Sequence, residues 1–188
     1  MIAGVDEAGR GPLAGPVCAA AVIIGGAPIH GLADSKQLGP RARAVAARHI
    51  RRQALCWRIG WAGVQEIEEH NILGASLLAM RRALSGLSIP PALVLVDGNR
   101  DPGCGLPTRC LIKGDKRYAA IAAASILAKV ARDRYMRFAA LAYPGYDFAR
   151  NKGYPGTAHL ESLKRSGACP LHRRAFAPVA RVIANASD

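Results

Sequence analysis

The sequence is poor in acidic residues, with 13 Asp and Glu against 26 Lys and Arg and a formal net charge of +13. It contains no apolar run that approaches the roughly 20 residues needed to cross a bilayer. It also lacks a lipidation signal and a signal peptide ahead of its first strand-like segment. We therefore expect a cytoplasmic protein without a membrane span. The excess of positive charge favours a polyanionic partner, because Lys and Arg gain affinity by releasing the counterions of phosphates.

Cysteine pairs with metal-binding or redox spacing are lacking as well. The five cysteines are scattered and form no Cys-x-x-Cys pair, which is typical of a reducing compartment and argues against a zinc site. Cys104 and Cys110 flank a turn, but a disulfide between them is disfavoured in a cytosolic protein. Hydrophobic residues make up 51% of the 188-residue chain, which excludes a disordered basic tail and suits one domain with a sizeable core.

Strand-like and helical patterns alternate along the chain and predict an α/β fold. The predicted strands cover residues 1–5, 17–24, 57–64, 93–96 and 108–112, the last as a strand that returns after a turn rich in Gly and Pro. The predicted helices cover residues 40–55, 71–84, 115–138 and 157–166, with another near the C-terminus. The helix at 115–138 is alanine-rich, and we expect it to lie close against the sheet.

Four of the few acidic residues lie at the borders of apolar segments. Asp6 and Glu7 end the first predicted strand, and Asp97 ends the fourth. Asp115 lies where the chain passes into the alanine-rich helix. Each acid alone has a structural interpretation, since Asp-Gly is a good turn and Asp115 suits a helix N-cap. Because open α/β sheets gather functional groups at the carboxyl ends of their strands, the four together favour a site for hard divalent cations.

Several motifs together resemble those of one enzyme family. They are residues 6–17 (Asp-Glu-Ala-Gly-Arg-Gly-Pro-Leu-Ala-Gly-Pro-Val), 34–36 (Asp-Ser-Lys), 96–98 (Val-Asp-Gly), 113–115 (Lys-Gly-Asp), 122–133 (Ala-Ala-Ala-Ser-Ile-Leu-Ala-Lys-Val-Ala-Arg-Asp), 152–154 (Lys-Gly-Tyr), His159 and 172–179 (His-Arg-Arg-Ala-Phe-Ala-Pro-Val). The first and fifth are long and highly specific, and the set extends over nearly the whole chain. The sequence thus resembles the type 2 ribonucleases H, the bacterial ribonuclease HII family.

This resemblance implies a ribonuclease H-like α/β fold, with a central mixed sheet flanked by helices and a helical C-terminal segment. We expect a catalytic domain at residues 1–142 and a basic, mainly helical segment at 143–188 packed on the same domain. The implied activity is endonucleolytic hydrolysis of the RNA strand of RNA–DNA hybrids. Incision at single ribonucleotides in duplex DNA is implied too, leaving 3′-hydroxyl and 5′-phosphate ends. A monomer is expected for a chain of this size.

The family's functional residues are carried over only onto matching positions. The metal-site carboxylates fall on Asp6, Glu7, Asp97 and Asp115, the Gly-Arg-Gly element on Gly9, Arg10 and Gly11, and the junction-sensing tyrosine on Tyr154. The implied cofactor is Mn²⁺ or Mg²⁺. Two such ions can activate a water and stabilise the leaving alkoxide without a general-base histidine, and we expect Asp6 and Asp97 to be the principal ligands.

Specificity requires a group that recognises the 2′-hydroxyl, which distinguishes RNA from DNA. Glycines at 9 and 11 allow the backbone to approach a ribose closely. Tyr154 has a ring that can stack on the next sugar and a hydroxyl that can bond the ribonucleotide, although it also fits a packing tyrosine. Further candidate substrate contacts are Lys36, Lys152, Ser125 and Lys129, the last two lying about one helical turn apart.

Other polar residues have milder interpretations. Asp133 is interpreted as a structural partner of Arg132 or Arg134, and His159 and His172 as packed or hydrogen-bonded side chains. An electrostatic track for nucleic acid is predicted at Lys164, Arg165, Arg173 and Arg174. The arginine-rich face of the helix that begins at residue 40 is interpreted as solvated charge.

Two other functions stay open at this point. One is a nuclease or recombinase of the same fold that acts on DNA or junctions, since fold does not fix substrate. The other is a non-catalytic protein that binds RNA–DNA hybrids. At two places the sequence departs from the family pattern, and the family's contacts are not carried over there: Pro155 and Gly156 put Thr157 one place late, and Ala175 replaces a common serine. We expect the type 2 form and not type 3, which typically carries an N-terminal module.

Overall fold

The computed structural model describes residues 1–26, 29, 32 and 39–186. Lys36 and the motif at 34–36 therefore lie outside the described residues. The strands are β1 (Ile2–Ala8), β2 (Val17–Ile23), β3 (Cys56–Ala62), β4 (Leu93–Asp97) and β5 (Thr108–Leu111). The α-helices are α1 (Pro40–Gln53), α2 (Val64–Ser85), α3 (Ala119–Ala142), α4 (Phe148–Asn151), α5 (Thr157–Ser166) and α6 (Ala177–Ala184). Short 3₁₀ turns span Gly114–Lys116 and Pro144–Tyr146.

The strands form one mixed sheet in the order β3-β2-β1-β4-β5. Strand β2 runs antiparallel to both of its neighbours, β1 and β3, while β1, β4 and β5 run parallel. The predicted α/β fold with a mixed sheet is confirmed. The prediction that residues 108–112 return along the preceding strand is wrong, because β5 runs in the same direction as β4.

Helices cover both faces of the sheet. Every residue of β2 is buried, and its side chains alternate between a core shared with α2 and a core shared with α1 and α3. The alanine-rich helix lies close to the sheet, as predicted: a Cβ on Gly4 of β1 would lie 2.1 Å from the carbonyl carbon of Ala120. This close approach brings α3 beside the end of β1.

Three predicted helices differ from the sequence-based bounds or faces. Helix α2 begins at Val64 and has a kink at Asn71 (φ 55°, ψ 174°). The sequence missed its first part because, of residues 64–71, only Ile67 is buried, so that no apolar stripe marks it. Helix α1 ends at Gln53 and not at residue 55, and its buried face consists of Ala46, Ala47 and Ile50, since Val45 is 41% exposed. Helix α3 begins at Ala119, and its N-cap is Tyr118 rather than Asp115.

The C-terminal segment bonds to the loop that follows β1. Leu13 N–H donates to Gly153 O at 2.8 Å, and Arg173 N–H donates to Leu13 O at 2.8 Å. Ala14 and His172 form an antiparallel bridge. The division of the chain at residues 142 and 143 stays a prediction. All five cysteines are free thiols, and in the part of the chain that the structure describes no helix has the length and apolarity to cross a membrane.

Candidate active site

Asp6 and Asp97 lie beside each other where the parallel pairing of β1 with β4 ends. Val5 of β1 pairs with Val96 of β4, and each aspartate directly follows its valine. Asp6 is only 6% exposed, and the Asp97 Oδ1 accepts a hydrogen bond from the Gly114 N–H at 2.7 Å. The parallel pairing of the strands thus brings together two acids that are far apart in sequence.

The charges of three carboxylates affect one another. Burial raises the pKa of the Asp6 carboxyl well above its ordinary value, and the charge of Glu7 raises this pKa further. A hydrogen bond from the Ser125 side chain opposes the rise, while Asp97 adds to it. The pKa of Glu7 is raised first by burial; Arg10 opposes this rise and Asp97 adds to it. A cation would offset the free-energy cost of ionising Asp6 and Glu7 next to Asp97.

Asp115 occupies the 3₁₀ turn that follows β5. It is 5% exposed and comes directly after Gly114, the residue whose N–H bonds Asp97. This hydrogen bond fixes the turn of Asp115 at the end of β4. Asp115 therefore lies before α3 in a turn attached to the acid pair, and not at the start of the helix.

The acids do not form a closed ligand cage. Among the described residues, no group of three or more His, Cys, Asp or Glu side chains is arranged to hold a metal ion. Mg²⁺ is commonly bound through one or two carboxylates, with waters and substrate phosphates as its other ligands. Asp6 is buried and Glu7 and Asp97 are partly buried, and their negative charges repel one another. The oxygen donors of these three carboxylates fit hard divalent ions of this kind.

A cleft of about 370 Å³ opens beside these acids. The end of β1 and the following loop form one wall, α1 contributes an arginine, and α3 and the C-terminal segment form the rest. The lining residues are Glu7, Ala8, Gly9, Arg10, Gly11, Arg43, Ser125, Ile126, Lys129 and Tyr154. The structure thus brings most of the predicted substrate contacts together in one cleft.

The structure explains the two glycines of the Gly-Arg-Gly element differently. Gly9 has a φ of 102°, and a Cβ there would lie 2.1 Å from Nε of Arg132. The structure therefore requires glycine at 9 for its own packing. A Cβ on Gly11 would meet only the Tyr154 ring, at 3.7 Å, and Gly11 is exposed. The backbone at Gly11 is therefore open to a ligand, as the sequence predicts.

Two buried arginines hold this loop, and sequence reasoning missed both roles. Arg173 is fully buried, so its predicted place on an exposed electrostatic track is wrong. Its guanidinium donates to the backbone carbonyls of Gly9, Arg10, Pro12 and Gly15. The guanidinium of Arg132, also fully buried, donates to the carbonyls of Ala14, Pro16 and Lys152. Arg132 thus connects the Gly-Arg-Gly loop with the segment that carries Tyr154.

The Tyr154 ring stands at the edge of the cleft. Its residue is 42% exposed, which argues against the alternative of a packing tyrosine. The Lys129 ammonium lies 5.5 Å from the ring centroid and the Arg132 guanidinium 5.9 Å. These cations lie within the range of cation–π attraction, and they help to orient the ring beside Gly11.

The predicted lysine contacts have structural partners of their own. Lys129 Nζ lies 2.8 Å from Asp133 Oδ1, so the side-chain partner of Asp133 is Lys129 and not Arg132 or Arg134 as predicted. The Lys152 ammonium donates to the carbonyl of Ala149. Burial lowers the pKa of Lys152. Lys129 lines the cleft, whereas Lys152 is not among its described lining residues.

Arg43 is a cleft residue that the sequence did not reveal. It lies on α1 and lines the cleft, whereas this helix was interpreted as carrying solvated arginines.

The two positions that depart from the family pattern are both exposed: Thr157 is the first residue of α5, and Ala175 precedes α6. His159 and His172 are buried and hydrogen-bonded to each other, as expected.

Comparisons with known proteins agree with this geometry. A model of the ribonuclease HII family matches residues 3–179. The chain is 57% identical over 187 residues to the ribonuclease HII of Albidiferax ferrireducens, with 99% of this chain and 90% of the relative covered. The chain belongs to the ribonuclease HII family. It is accordingly a hydrolase with ribonuclease H activity on RNA–DNA hybrids.

Solved structures confirm the fold expected for this family. The crystal structure of ribonuclease H2 from Pyrococcus horikoshii OT3 is similar with a TM-score of 0.82 and 27% identity, covering 98% of this chain and 97% of that one. The structure of Bst-RNase HIII in complex with Mn²⁺ has a TM-score of 0.81 and 20% identity, covering 98% of this chain and 70% of that one. The predicted ribonuclease H-like fold is therefore confirmed.

Proposed function

We propose that the chain is a divalent-metal-dependent endonuclease. It hydrolyses the RNA strand of RNA–DNA hybrids and incises duplex DNA at single embedded ribonucleotides, leaving 3′-hydroxyl and 5′-phosphate ends. The proposal depends on two features that lie side by side. Mutually repelling acids stand near the ends of β1 and β4, and the cleft beside them is lined by Gly11 and Tyr154.

Mn²⁺ or Mg²⁺ is the proposed cofactor, held by Asp6, Glu7, Asp97 and Asp115. When bound, such ions supply a deprotonated water and a stabilised leaving alkoxide. The raised pKa of Asp6 supports this assignment, because a nearby cation favours the ionised carboxylate. The Mn²⁺ complex of a ribonuclease HIII with the same fold is consistent with it.

The chain's own residues bind and orient the substrate. The backbone at Gly11 and the hydroxyl of Tyr154 bind the 2′-hydroxyl of the ribonucleotide, and the Tyr154 ring stacks on the next sugar. The cations of Arg10, Arg43 and Lys129 bind phosphates along the cleft, and the Ser125 hydroxyl keeps Asp6 oriented through their hydrogen bond. Arg132 and Arg173 hold the loop that presents Gly11.

Cleavage by an Asp97→Asn variant tests the acid site. We expect cleavage to fall about a hundredfold or more, while binding of an RNA–DNA hybrid stays nearly unchanged because the cationic surface is intact. Asp101→Asn is the matched control, since Asp101 is exposed and its carboxylate accepts a hydrogen bond from the nearby Gly103 N–H. Unchanged turnover in Asp97→Asn, with Mn²⁺ and Mg²⁺ each titrated, would contradict the proposal and favour a non-catalytic binding protein.

Substrate choice is tested on three duplexes of one sequence. They contain one ribonucleotide, four consecutive ribonucleotides or DNA alone. We expect incision of the first two, no incision of the third, and a slower but measurable incision at the single ribonucleotide in Tyr154→Ala. Equal cutting of the all-DNA duplex would instead indicate a DNA or junction nuclease.

A further inference from the structure

A pair of buried histidines lies behind Tyr154. His159 of α5 is 0% exposed and His172 is 2% exposed. Their Nε2 atoms are 3.1 Å apart, a distance that requires one nitrogen to donate a proton and the other to accept it. Neither histidine is among the described residues that line the cleft.

The surrounding backbone determines which nitrogen carries each proton. Cys169 N–H donates to His172 Nδ1 at 3.0 Å, so this nitrogen is unprotonated. A neutral His172 then carries its proton on Nε2 and donates it to Nε2 of His159. His159 in turn carries its proton on Nδ1, which lies 2.9 Å from the carbonyl oxygen of Tyr154. A single chain of hydrogen bonds thus runs from Cys169 to Tyr154.

The surroundings of both imidazoles favour the neutral state, which the hydrogen bonds from Cys169 to Tyr154 require. Burial lowers the pKa of His159. It lowers the pKa of His172 to about 4, with the neighbouring His159 contributing. Phe148 packs edge-on against His159 with ring centroids 5.4 Å apart, and Tyr146 against His172 at 4.8 Å. These aromatic rings fix the imidazole planes.

The backbone of Tyr154 is held by hydrogen bonds, whereas its side chain makes weaker contacts. The ring is exposed and meets Lys129 and Arg132 only at cation–π distances. Its carbonyl accepts from both Gly156 N–H, at 2.8 Å, and His159 Nδ1. Because the Cα–Cβ direction follows the backbone, the orientation of this peptide decides where the ring stands in the cleft.

We propose that His159 and His172 are positioning residues that orient the Tyr154 peptide, so that the tyrosine meets the sugar next to a single ribonucleotide. They touch no substrate and act through Tyr154. The inference rests on the proposed role of Tyr154 and extends it to the two residues that set its geometry. Selectivity for an isolated ribonucleotide, rather than cleavage in general, is therefore the property that they control.

Two substitutions of His159 separate positioning from packing. An asparagine amide nitrogen reaches the place of Nδ1, so His159→Asn keeps the donor to Tyr154 O and loses the acceptor for His172. A glutamine amide reaches the place of Nε2, so His159→Gln keeps the bond to His172 and loses the donor to Tyr154. Positioning makes His159→Gln the less selective variant, whereas a purely structural role makes His159→Asn the more damaging one.

The readout is kcat/KM on duplexes with one and with four ribonucleotides, together with the melting temperature. We expect His159→Gln to lower the ratio of kcat/KM on the one-ribonucleotide duplex to kcat/KM on the four-ribonucleotide duplex by about tenfold. In His159→Asn this ratio should stay within about threefold of its value in the unsubstituted protein. In a Tyr154→Ala background, adding His159→Gln should leave the ratio unchanged. Parallel losses on both substrates that follow the melting temperature, or a ratio that still falls in the Tyr154→Ala background, would overturn the inference.

Failure of this inference is distinguishable from failure of the proposed function. If Tyr154→Ala lowers the ratio and His159→Gln does not, only the role of the histidines is wrong. If Tyr154→Ala leaves the ratio unchanged, the proposed role of the tyrosine is wrong as well. Should neither His159 variant fold, imidazole ¹⁵N NMR of the unsubstituted protein decides. We expect protons on His159 Nδ1 and His172 Nε2. The reverse tautomers would overturn the inference, because His159 would then have no proton to donate to the Tyr154 carbonyl.

Discussion

At the scale of single residues, the most consequential side chains are two arginines that have no acidic hydrogen-bond partner among the residues that the structure describes. Arg132 and Arg173 are both fully buried, and their guanidinium groups donate to backbone carbonyls instead of carboxylates. Burial lowers the pKa of Arg173 to about 9. Since a buried cation needs its donors satisfied, the loop carbonyls and the arginines depend on one another.

Replacement of Arg173 tests this dependence. Arg173→Met leaves the carbonyls of Gly9, Pro12 and Gly15 without their donor, and we expect the free energy of unfolding to fall by about 2–4 kcal/mol. Arg174→Met is the matched control, because Arg174 is adjacent and exposed, and its effect should stay within about 0.5 kcal/mol. Urea denaturation measures both. Similar losses in the two variants would contradict the role of Arg173.

The carboxyl of Asp6 gives a pH-dependent prediction for the metal-free protein. Its pKa is raised in the folded state, so the group contributes stability below its unfolded pKa and loses it as pH rises through the folded value. Asp6→Asn does not titrate. The melting temperature of Asp6→Asn minus that of the unsubstituted protein should therefore increase from pH 4 to pH 8 in the presence of a chelator.

Differential scanning calorimetry across this pH range measures the difference. Asp101→Asn serves as the control, since Asp101 is exposed, and its difference should stay flat. A difference for Asp6→Asn that falls with pH would mean that Asp6 is stabilised as an anion. Adding Mn²⁺ should raise the melting temperature of the unsubstituted protein more than that of Asp6→Asn, because ligand binding to the folded state stabilises it.

Sequence reasoning succeeded for some of these residues and failed for others for a physical reason. The positions of Asp6 and Asp97 after apolar runs indicated that they lie near each other, which the pairing of Val5 with Val96 confirms, while their roles in the site stay predictions. Arg132 and Arg173 bond carbonyls more than 100 residues away along the chain, at separations of 116 and 158 residues for their Nε atoms. In a chain with 26 Lys and Arg, no local signal distinguishes a buried arginine from a solvated one.

At the scale of secondary-structure elements, the site depends on how closely α3 approaches β1. Gly4 of β1 faces the first turn of α3, where backbone atoms of Ala120 and Ile121 lie within 2.5 Å of the position that a Cβ on Gly4 would take. Ser125 is on the next turn of the same helix and bonds Asp6. The distance between helix and strand therefore sets the geometry of the Asp6 carboxyl.

Gly4→Ala tests this coupling. A methyl group 2.1 Å from the Ala120 carbonyl carbon forces the helix away from the strand, and we expect a loss of about 1–3 kcal/mol in stability. Cleavage should fall further than stability predicts, because Ser125 moves with the helix. Gly145→Ala is the control, since a Cβ there meets nothing within 4 Å. Full activity of a folded Gly4→Ala would show that the contact does not matter for the site.

The elements themselves were predicted to different degrees. Helix α5 lies at Thr157–Ser166, as its periodicity predicts, and the buried strands β2 and β4 were found from their apolar runs. The direction of β5 was not, because an irregular Gly- and Pro-rich connection carries no information on strand orientation. The first part of α2 was missed because few of its side chains are buried. It begins with a local hydrogen bond, in which the Gly63 N–H donates to the Glu66 carboxylate at 2.8 Å.

At the scale of the whole molecule, the net charge of +13 affects how tightly nucleic acid binds more than how fast it is cleaved. Each phosphate neutralised by a cation releases counterions, which makes binding weaker as salt rises. A net positive charge favours nucleic-acid binding in general, whereas the proposed function assigns the phosphates beside the scissile bond to the cations that line the cleft. Salt dependence can separate these two contributions.

Arg43 and Arg48 of α1 provide the comparison. Arg43 lines the cleft, whereas Arg48 is exposed on the same helix and is not among the described lining residues. If Arg43 contacts one phosphate, Arg43→Ala should reduce the slope of log Kd against log salt by about 0.9, the value for one phosphate contact. Arg48→Ala should leave the slope nearly unchanged, although both variants lose one positive charge.

Fluorescence anisotropy with a labelled RNA–DNA hybrid, at several salt concentrations and with a chelator to prevent cleavage, measures the slopes. Equal reductions in the two variants would mean that the net charge, and not the position of the arginine, determines affinity. A reduction for Arg43→Ala alone would instead extend the binding surface from the Gly-Arg-Gly loop across the cleft to α1. Helix α1 would then belong to the same binding surface that is proposed for Lys129 of α3 and for Tyr154.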